Sequence, residues 1–277
     1  MKLRESTKRI PQQPSLKTHK SKLIDLKLLF FTTLRPRLHP SFRSKGGKLS
    51  QEPHRPSNEE KAQADLEYFA KLYSAQDDAG EPQQTKIDKL RDGLLVKLYK
   101  KYGKVALSQS KVLDVGCGYG WLLDYFDGAE KLAGVDIAHH AVEVAAKRKP
   151  TRYFIQGNLE QPIPFDETFD LVLAINIIEH LEKPEAGVQS IAGACHKGSI
   201  VLVHMPTIAN ALTKWEYSKL YDSDPTHIYR PSGRTVRKIF EANGFKTLRD
   251  SYLPHYPAWV TKIYPLHPAY LAVFEKK

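Results

Sequence analysis

From residue 111 onward, short apolar runs alternate with segments whose apolar residues recur every three or four positions. The runs read KVLDVG, KLAGVD, RYFIQG, FDLVLAIN and SIVLVHM, and the periodic segments include one to about residue 126, HHAVEVAAKRK, and one at about 184–195. Apolar runs of this length predict buried strands, whereas the longer period predicts amphipathic helices. Their regular alternation predicts an α/β fold of parallel strands with right-handed helical crossovers.

The C-terminal part of the chain departs from this alternation. A helix is predicted from Ser232 to Asn243, with Val236, Ile239 and Phe240 facing inward and Gly244 ending it. Two strand patterns follow, FKTLRDSYL and AYLAVFEK, which we expect to form an antiparallel edge of the sheet.

Residues 58–104 carry two further helical patterns ahead of the α/β domain, which we place at 105–277. The first begins with Ser57 and Glu60 at the spacing of a capping box. The second ends at Gly103 and places four apolar residues on one face: Ile87, Leu90, Leu94 and Leu98. We expect both helices to form a lid over the domain.

Charge is concentrated in residues 1–57, which show no sustained period and predict a mobile arm. The first 50 residues hold 13 Lys and Arg against Glu5 and Asp25, so the formal charge of +11 belongs to this segment. The remaining residues are formally neutral. The arm could contact nucleic acid or an anionic membrane, direct the protein to an organelle, or simply be solvated. The sequence leaves these alternatives open.

Cysteine usage and hydropathy restrict the class of protein. Cys117 and Cys195 give neither a disulfide framework nor a metal-ligand spacing, so we expect a reducing, cytoplasmic environment and no metal. The apolar stretch LIDLKLLFFTTL is interrupted by Asp25 and Lys27 and is shorter than the roughly 20 residues of a membrane span. We therefore expect no transmembrane helix and no secretory signal.

The first strand leads into a glycine-rich loop, KVLDVGCGYGWLLDYF. Glycines at this place let backbone N–H groups approach a ligand, so we expect a cofactor here. The spacing of Gly116, Gly118 and Gly120 is neither the G-x-G-x-x-G of dinucleotide sites nor the phosphate-binding loop. Asp114 lies two residues before the first glycine, where a carboxylate would repel a pyrophosphate but suits an ammonium group.

The segment VLDVGCGYG resembles the first motif of class I S-adenosylmethionine-dependent methyltransferases of the small-molecule, domain 11/23 type. Two more segments extend the resemblance, GVDIA and GNLEQPIPFDETFDLVLAINIIEHL. It implies a Rossmann-like, mostly parallel sheet of seven strands with an antiparallel last strand and helices on both faces. It also implies S-adenosylmethionine as cofactor and S-adenosylhomocysteine as product.

The resemblance implies roles for individual residues. Asp136 would bind the ribose hydroxyls and Ile137 the adenine, while Asn158 would face the adenine amino group and the Leu159 N–H a ring nitrogen. Asn158 stands where the family usually has Asp, so we expect weaker but intact binding. The implied cofactor contacts are Asp114, Gly116, Cys117, Gly118, Gly120, Asp136, Ile137, Asn158, Leu159 and Asn176.

Candidate catalytic residues lie in two segments. His180, in E-H-L after the fourth strand, would lie close to the transferred methyl group, although this motif also serves local helix packing. In YDSDPTHIYRPSG, His227 is a candidate general base, Tyr229 could orient the acceptor and Arg230 could hold an anionic group. Each of the three could instead anchor the loop.

Three function classes follow. The first is methyl transfer to an O, N or C nucleophile of a small molecule such as a quinone, lipid, sugar or secondary metabolite. The second is methylation of RNA or protein with the arm as docking element, although NIIE after the fourth strand differs from the N/D-P-P-Y of many amino-base methyltransferases. The third is a non-catalytic adaptor. The sequence leaves the acceptor, the base and the oligomeric state open.

Overall fold

The computed structural model describes residues 84–252 and 267–277. The predicted arm and the first predicted helix lie outside these residues. Seven strands form one sheet in the order β3-β2-β1-β4-β5-β7-β6. The strands are β1 (Lys111–Val115), β2 (Lys131–Asp136), β3 (Tyr153–Gln156), β4 (Phe169–Ile175), β5 (Cys195–Pro206), β6 (Phe245–Ser251) and β7 (Ala269–Lys276).

The predicted Rossmann-like sheet is confirmed. Strands β1 to β5 pair in parallel, whereas β7 pairs antiparallel with both β5 and β6. The last two strands do pair with each other, but β7 lies inside the sheet, and β6 alone forms the edge on this side. All parallel strands therefore point their carboxyl ends to the same side of the sheet, where ligands of such folds bind.

Five α-helices accompany the sheet in the described residues: α1 (Lys86–Tyr102), α2 (His139–Arg148), α3 (Pro184–Gly193), α4 (Ala211–Leu220) and α5 (Gly233–Ala242). Helices α2, α3 and α5 confirm the predicted ones, and Ser232 caps α5 through its side chain. The helix expected after the glycine loop is a short 3-10 helix, Leu122–Phe126. Helix α4 was not predicted. Further 3-10 helices are Leu107–Gln109 and Ile178–His180.

Alternate residues of the strands build a core on each face of the sheet. On one face, Leu113 and Val115 of β1 lie in a cluster with Val188 of α3 and Phe240 of α5. On the other face, Val112 packs in a second cluster. Helices therefore cover both faces, as predicted, and the period-2 alternation of β1 divides its side chains between them.

Helix α1 packs differently from the expectation. Leu98 is buried as predicted, but Ile87 and Leu90 are exposed, and the buried face consists of Asp92, Leu95, Leu98 and Tyr99. The apolar residues of this face belong to the core of the sheet. The prediction for Ile87 and Leu90 was wrong because a buried aspartate on the packed face breaks the apolar period. The lid role of residues 58–104 stays a prediction.

Within the described ranges, none of the helices is both long and apolar enough to cross a membrane. Helix α1, the longest at 17 residues, carries charged side chains along its length.

Candidate functional site

The glycine loop turns sharply where β1 ends. Three of its residues have positive φ angles: Gly116 (74°), Gly118 (50°) and Gly120 (71°). The Gly116 N–H donates to the carbonyl of Val135 in β2 over 2.8 Å. A Cβ atom at Gly116 would lie 2.7 Å from the side chain of Ile177, so this position has no room for one.

Asp136, the last residue of β2, is held by the backbone on both sides of its carboxylate. Oδ2 accepts a hydrogen bond from the Gly118 N–H (2.8 Å) and Oδ1 accepts one from the Ala138 N–H (2.9 Å). The side chain is buried, and hydrogen bonds to an ionised acceptor are stronger than those between neutral groups. The loop and the end of β2 therefore fix the orientation of this carboxylate.

Two arginines also hold the glycine loop. Arg148, at the end of α2, donates to the carbonyls of Tyr119 (3.1 Å) and Gly120 (2.8 Å) and pairs with Asp124 at 2.7 Å. Arg152 also pairs with Asp124 at 2.7 Å. Although burial opposes the shift, the hydrogen bonds from both arginines lower the pKa of Asp124. The sequence did not predict these arginine contacts with the loop. The only sequence feature that marks them is the presence of basic residues at and just after the end of a helix.

A cavity of about 300 Å³ opens beside Asp136 at the carboxyl ends of the strands. Six residues predicted from the sequence line it: Gly116, Asp136, Ile137, Asn158, Leu159 and His180. Ile137 is 61% exposed, which leaves an apolar surface for a flat ring. Asn158 Oδ1 accepts a hydrogen bond from the Glu160 N–H over 2.9 Å, which fixes the amide beside this surface.

Five predicted cofactor residues are not among those that line the cavity, namely Asp114, Cys117, Gly118, Gly120 and Asn176. The Cys117 side chain is buried against Gly134, where a Cβ would lie 2.8 Å from Sγ, so it packs in the core. Gly118 contributes through its hydrogen bond to Asp136. Burial raises the pKa of Asp114 well above its usual range, the carboxylates of Asp92 and Asp136 add to the shift, and Arg91 opposes it.

Arg91 and Asp92 of α1 form a charged group close enough to Asp114 to affect its pKa. Arg91 Nε donates to Asp92 Oδ1 (2.8 Å), and its Nη1 donates to Asp88 Oδ1 (2.9 Å). The Gln84 amide also donates to the buried Asp92. Sequence reasoning missed this group, although adjacent opposite charges within an apolar helical pattern were visible.

Asn176, the remaining predicted cofactor residue, adopts a left-handed backbone with φ 53° just after β4. Its N–H donates to the His204 carbonyl over 2.7 Å. Burial, followed by the charge of Arg91, lowers the pKa of His204 to about 3, so the ring is neutral. Its Nδ1 donates to Asn176 Oδ1 over 2.8 Å, since an amide oxygen only accepts. Asn176 thus fixes the turn, and its contact with a cofactor stays a prediction.

Glu179 lies directly beyond this turn, within the 3-10 helix Ile178–His180. It is 0% exposed, and neither carboxylate oxygen has a hydrogen-bond partner among the described residues. Burial raises its pKa to about 8, opposed by its own backbone N–H, while Asp224 adds to the shift and Arg91 also opposes it. A buried carboxyl without a partner is costly and requires an explanation.

His180 and His227, both predicted from the sequence, lie together beside Glu179. Their ring centroids are 4.8 Å apart. His180 Nδ1 lies 3.2 Å from the carbonyl and 2.9 Å from the hydroxyl of Thr226. His227 is 8% exposed, with Tyr217 Oη 3.4 Å from Nδ1 and Asp224 Oδ2 3.8 Å from Nε2. Burial lowers the pKa of both histidines, which favours their neutral forms.

Tyr229 and Arg230 are engaged within their loop. The Tyr229 N–H donates to the Glu179 carbonyl over 2.9 Å, and the Tyr229 side chain packs against the core. Arg230 pairs with Asp222 at 3.1 Å, and its Nε donates to the His227 carbonyl over 3.1 Å. These contacts fit the loop-anchor alternative for both residues, while their roles toward an acceptor stay predictions.

One ligand site is formed by the glycine loop after β1 and the acidic residue that ends β2. The order of the strands brings the two together. A family model described as a methyltransferase domain matches residues 87–249, more than half of the chain. The chain belongs to this methyltransferase-domain family. The match covers the glycine loop, the cavity and the Glu179–His227 region together.

Curated relatives of this methyltransferase domain differ in what their names say they methylate. A malonyl-[acyl-carrier protein] O-methyltransferase of Halalkalibacterium halodurans is 34% identical over 90 residues, covering 29% of this chain and 33% of that protein. A phosphatidylethanolamine N-methyltransferase of Cereibacter sphaeroides is 26% identical over 129 residues, covering 41% and 64%. The chain therefore matches between one third and just under two thirds of each relative.

Solved structures support the fold of the methyltransferase domain. The magnesium protoporphyrin IX methyltransferase of Synechocystis, solved with bound S-adenosylhomocysteine, superimposes with a TM-score of 0.56. The alignment covers 78% of this chain and 96% of that structure at 17% sequence identity. At this identity the likeness establishes the class I fold alone.

S-adenosylmethionine is the cofactor of this family, and the residues present fit it. The loop at Gly116 excludes a side chain and brings the backbone to the cavity. Asp136 presents a fixed carboxylate there, and the exposed Ile137 offers an apolar surface beside it. A carboxylate next to an apolar face matches a ribose joined to an adenine ring.

Proposed function

We propose that this protein binds S-adenosylmethionine in the cavity beside Asp136 and transfers its methyl group to an O, N or C nucleophile of a small molecule. The observation that carries the proposal is the Asp136 carboxylate, which the Gly118 and Ala138 N–H groups hold at the cavity. The proposed acceptor is a quinone, a lipid, a sugar or a secondary metabolite. The O- and N-methyltransferase names of the relatives support the reaction type and leave the accepting atom open.

The cofactor-binding residues divide by chemistry. Asp136 would accept hydrogen bonds from ribose hydroxyls, and Ile137 would contact the adenine ring. Asn158 keeps an acceptor lone pair for an amino group, because an amide oxygen has two and only one is used by Glu160. The Asp114 carboxyl, whose pKa is raised by burial, would become ionised beside an ammonium group, since a nearby opposite charge favours the charged form.

When bound, the cofactor supplies an electrophilic methyl group on a sulfonium. The protein then has to align the acceptor and exclude water, and fixed geometry of this kind lowers barriers by several kcal/mol. His180 lines the cavity and is the candidate best placed to contact an acceptor. Its Nδ1 donates to the Thr226 carbonyl, so Nε2 carries the lone pair. Such a base is required only where the acceptor must lose a proton.

Calorimetric titration of S-adenosylmethionine into the full-length protein tests the proposal. We expect Asp136→Ala to weaken binding at least tenfold, about 1.4 kcal/mol, because the ribose contact is lost. Asp166→Ala is the matched control, since Asp166 is an exposed aspartate outside the residues that line the cavity. It should bind the cofactor like wild type.

Thermal unfolding of the same variants shows whether they remain folded. If folded wild type binds no S-adenosylmethionine, the enzymatic proposal fails and the non-catalytic adaptor becomes the better explanation. If Asp136→Ala binds as tightly as Asp166→Ala, the assignment of the ribose contact is wrong. Detection of methylated product in an acceptor screen then identifies the substrate class.

A further inference from the structure

Glu179, His180 and His227 form a cluster that the cofactor does not explain. One ligand-type atom from each residue lies within 4.8 Å of the other two. Four-coordinate zinc, with ligands at about 2.0–2.2 Å, places its ligand atoms about 3.4 Å apart. The most distant of these ligand atoms therefore need to approach one another by up to about 1.4 Å to share one ion, which small changes in side-chain torsion angles can supply.

The strongest sign of a missing partner is the carboxylate of Glu179. It is fully buried, and both oxygens lack a hydrogen-bond partner in the described part of the chain. Arg91 is the cation that acts on it electrostatically, but its guanidinium hydrogen-bonds to Asp88 and Asp92 instead. Buried polar groups in proteins are normally hydrogen-bonded, and buried charges are paired or coordinate metals, so a cation in contact with the Glu179 carboxyl would satisfy its oxygens.

The histidines have the surroundings of metal ligands. A metal-bound histidine usually donates its other ring nitrogen to a carbonyl or carboxylate, which fixes the tautomer and the ring. His180 Nδ1 donates to the Thr226 carbonyl, so the lone pair of the neutral ring is on Nε2. His227 lies 3.8 Å from the Asp224 carboxylate. Asp224 also adds negative charge near the cluster, which favours a cation.

We propose that Glu179, His180 and His227 bind a divalent transition-metal ion of the zinc class. Two imidazoles and one carboxylate form a ligand set that zinc enzymes use with a fourth position left open. Magnesium prefers an all-oxygen octahedral site and should bind poorly here. No sequence pattern indicated this site, since residue 227 is remote from 179 and 180 along the chain.

The place of the ion gives it a role toward the acceptor. His180 lines the cofactor cavity, so the open position would face the space where an acceptor enters. An acceptor hydroxyl bound there would be oriented and would lose its proton more easily, as water does on zinc. With the ion bound, His180 would act as its ligand and would no longer be available as the base. This role rests on the proposed methyl transfer, whereas the binding of the ion does not.

Metal titration of the chelator-treated, full-length protein tests the site. We expect wild type to bind one equivalent of Zn²⁺ at least tenfold more tightly than Glu179→Gln or His227→Asn, with Mg²⁺ far weaker. Co²⁺ should give the visible absorption of a four-coordinate site in wild type and lose it in both variants. Zn²⁺ should also raise the unfolding temperature of wild type more than that of Glu179→Gln.

His196→Gln is the control for other histidines of the chain. His196 lies near the start of β5, whereas the cluster lies near the carboxyl ends of the parallel strands. It should bind Zn²⁺ like wild type. The proposal is overturned if wild type binds no Zn²⁺, or if Glu179→Gln binds it as tightly as wild type. S-adenosylmethionine titration of each variant separates the two proposals. A protein that binds S-adenosylmethionine but not Zn²⁺ rejects only the metal site. A protein that binds Zn²⁺ but not S-adenosylmethionine rejects only the proposed cofactor binding.

Discussion

At Gly116 two independent restrictions act on one residue. The φ angle of 74° disfavours any other residue, and a Cβ would lie 2.7 Å from Ile177. We expect Gly116→Ala to lower the free energy of unfolding by about 1–3 kcal/mol, the usual cost of a strained backbone conformation. We also expect cofactor affinity to fall at least tenfold, because the loop must shift into the cavity. Urea unfolding and calorimetry measure the two effects.

Gly93→Ala is the matched control for that substitution. Gly93 lies inside α1, and among the described residues no atom beyond the backbone of its own helix and its chain neighbours lies within 4 Å of where its Cβ would be. Alanine there should increase stability by about 0.5–1 kcal/mol and leave cofactor affinity unchanged. Equal effects of the two substitutions would show that the loop geometry at Gly116 is unimportant.

Residues in local motifs were predictable, and residues defined by distant contacts were not. Gly116, Asp136 and Asn158 line the cavity as expected, because the spacing of a strand, a loop and a helix places them at one edge of the sheet. Glu179 was part of a quoted motif, yet nothing local showed that its carboxylate would be fully buried without a partner. Charged side chains are almost never fully buried unless paired, so the sequence favoured exposure.

At the scale of elements, the end of α2 stabilises the glycine loop. We expect Arg148→Ala to lower the free energy of unfolding by about 1–3 kcal/mol, because charge-assisted bonds to Tyr119, Gly120 and Asp124 are lost together. Cofactor affinity should fall as well, since Gly120 belongs to the loop. Chemical denaturation and cofactor titration measure both changes.

Lys147→Ala is the control for Arg148. Lys147 is the exposed neighbour in the same turn of α2, and its removal should change stability by less than about 0.5 kcal/mol. If Arg148→Ala weakens stability but leaves cofactor affinity at the wild-type value, α2 supports the fold without positioning the loop.

Helix α4 shows how an element escapes sequence analysis. Only Thr213 and Tyr217 of this helix are buried, while Leu212, Trp215 and Leu220 are exposed. The large apolar residues of this helix therefore do not lie on its buried face, so the sequence shows no amphipathic period here. The capping pair of Asn210 and Thr213 was the available signal, since a side-chain acceptor three residues before a backbone donor is typical of a helix start.

At the scale of the whole molecule, local patterns predicted the parallel half of the sheet better than its end. Strands β1 to β3, and then β4 and β5, lie beside one another in chain order, although the connection from β3 to β4 passes over two strands. In contrast, β7 inserts between β5 and β6 by antiparallel pairing with both. One signal was present. AYLAVF in β7 is continuously apolar and buried, as in a central strand, whereas FKTLRDS in β6 mixes polar residues, as at an edge.

The sheet order predicts how stability is distributed. Strands β4 and β5 have neighbours on both sides and covered faces, whereas β3 lies at an edge with Tyr153 and Ile155 exposed. We expect amide hydrogens of β4 and β5 to exchange slowest and those of β3 much faster, because edge strands open without global unfolding. Native-state hydrogen exchange measures this order. Protection of β3 equal to that of β4 would contradict it.

The buried carboxyl of Glu179 has a consequence for engineering. Without a partner in contact with it, this buried polar group costs stability, so an apolar side chain of similar size there should make the fold more resistant to heat. Laboratory evolution that selects for heat resistance alone would therefore favour replacing Glu179. If Glu179 holds the proposed ion, stability and function conflict at this position, and a useful thermostable variant has to be selected for both at once.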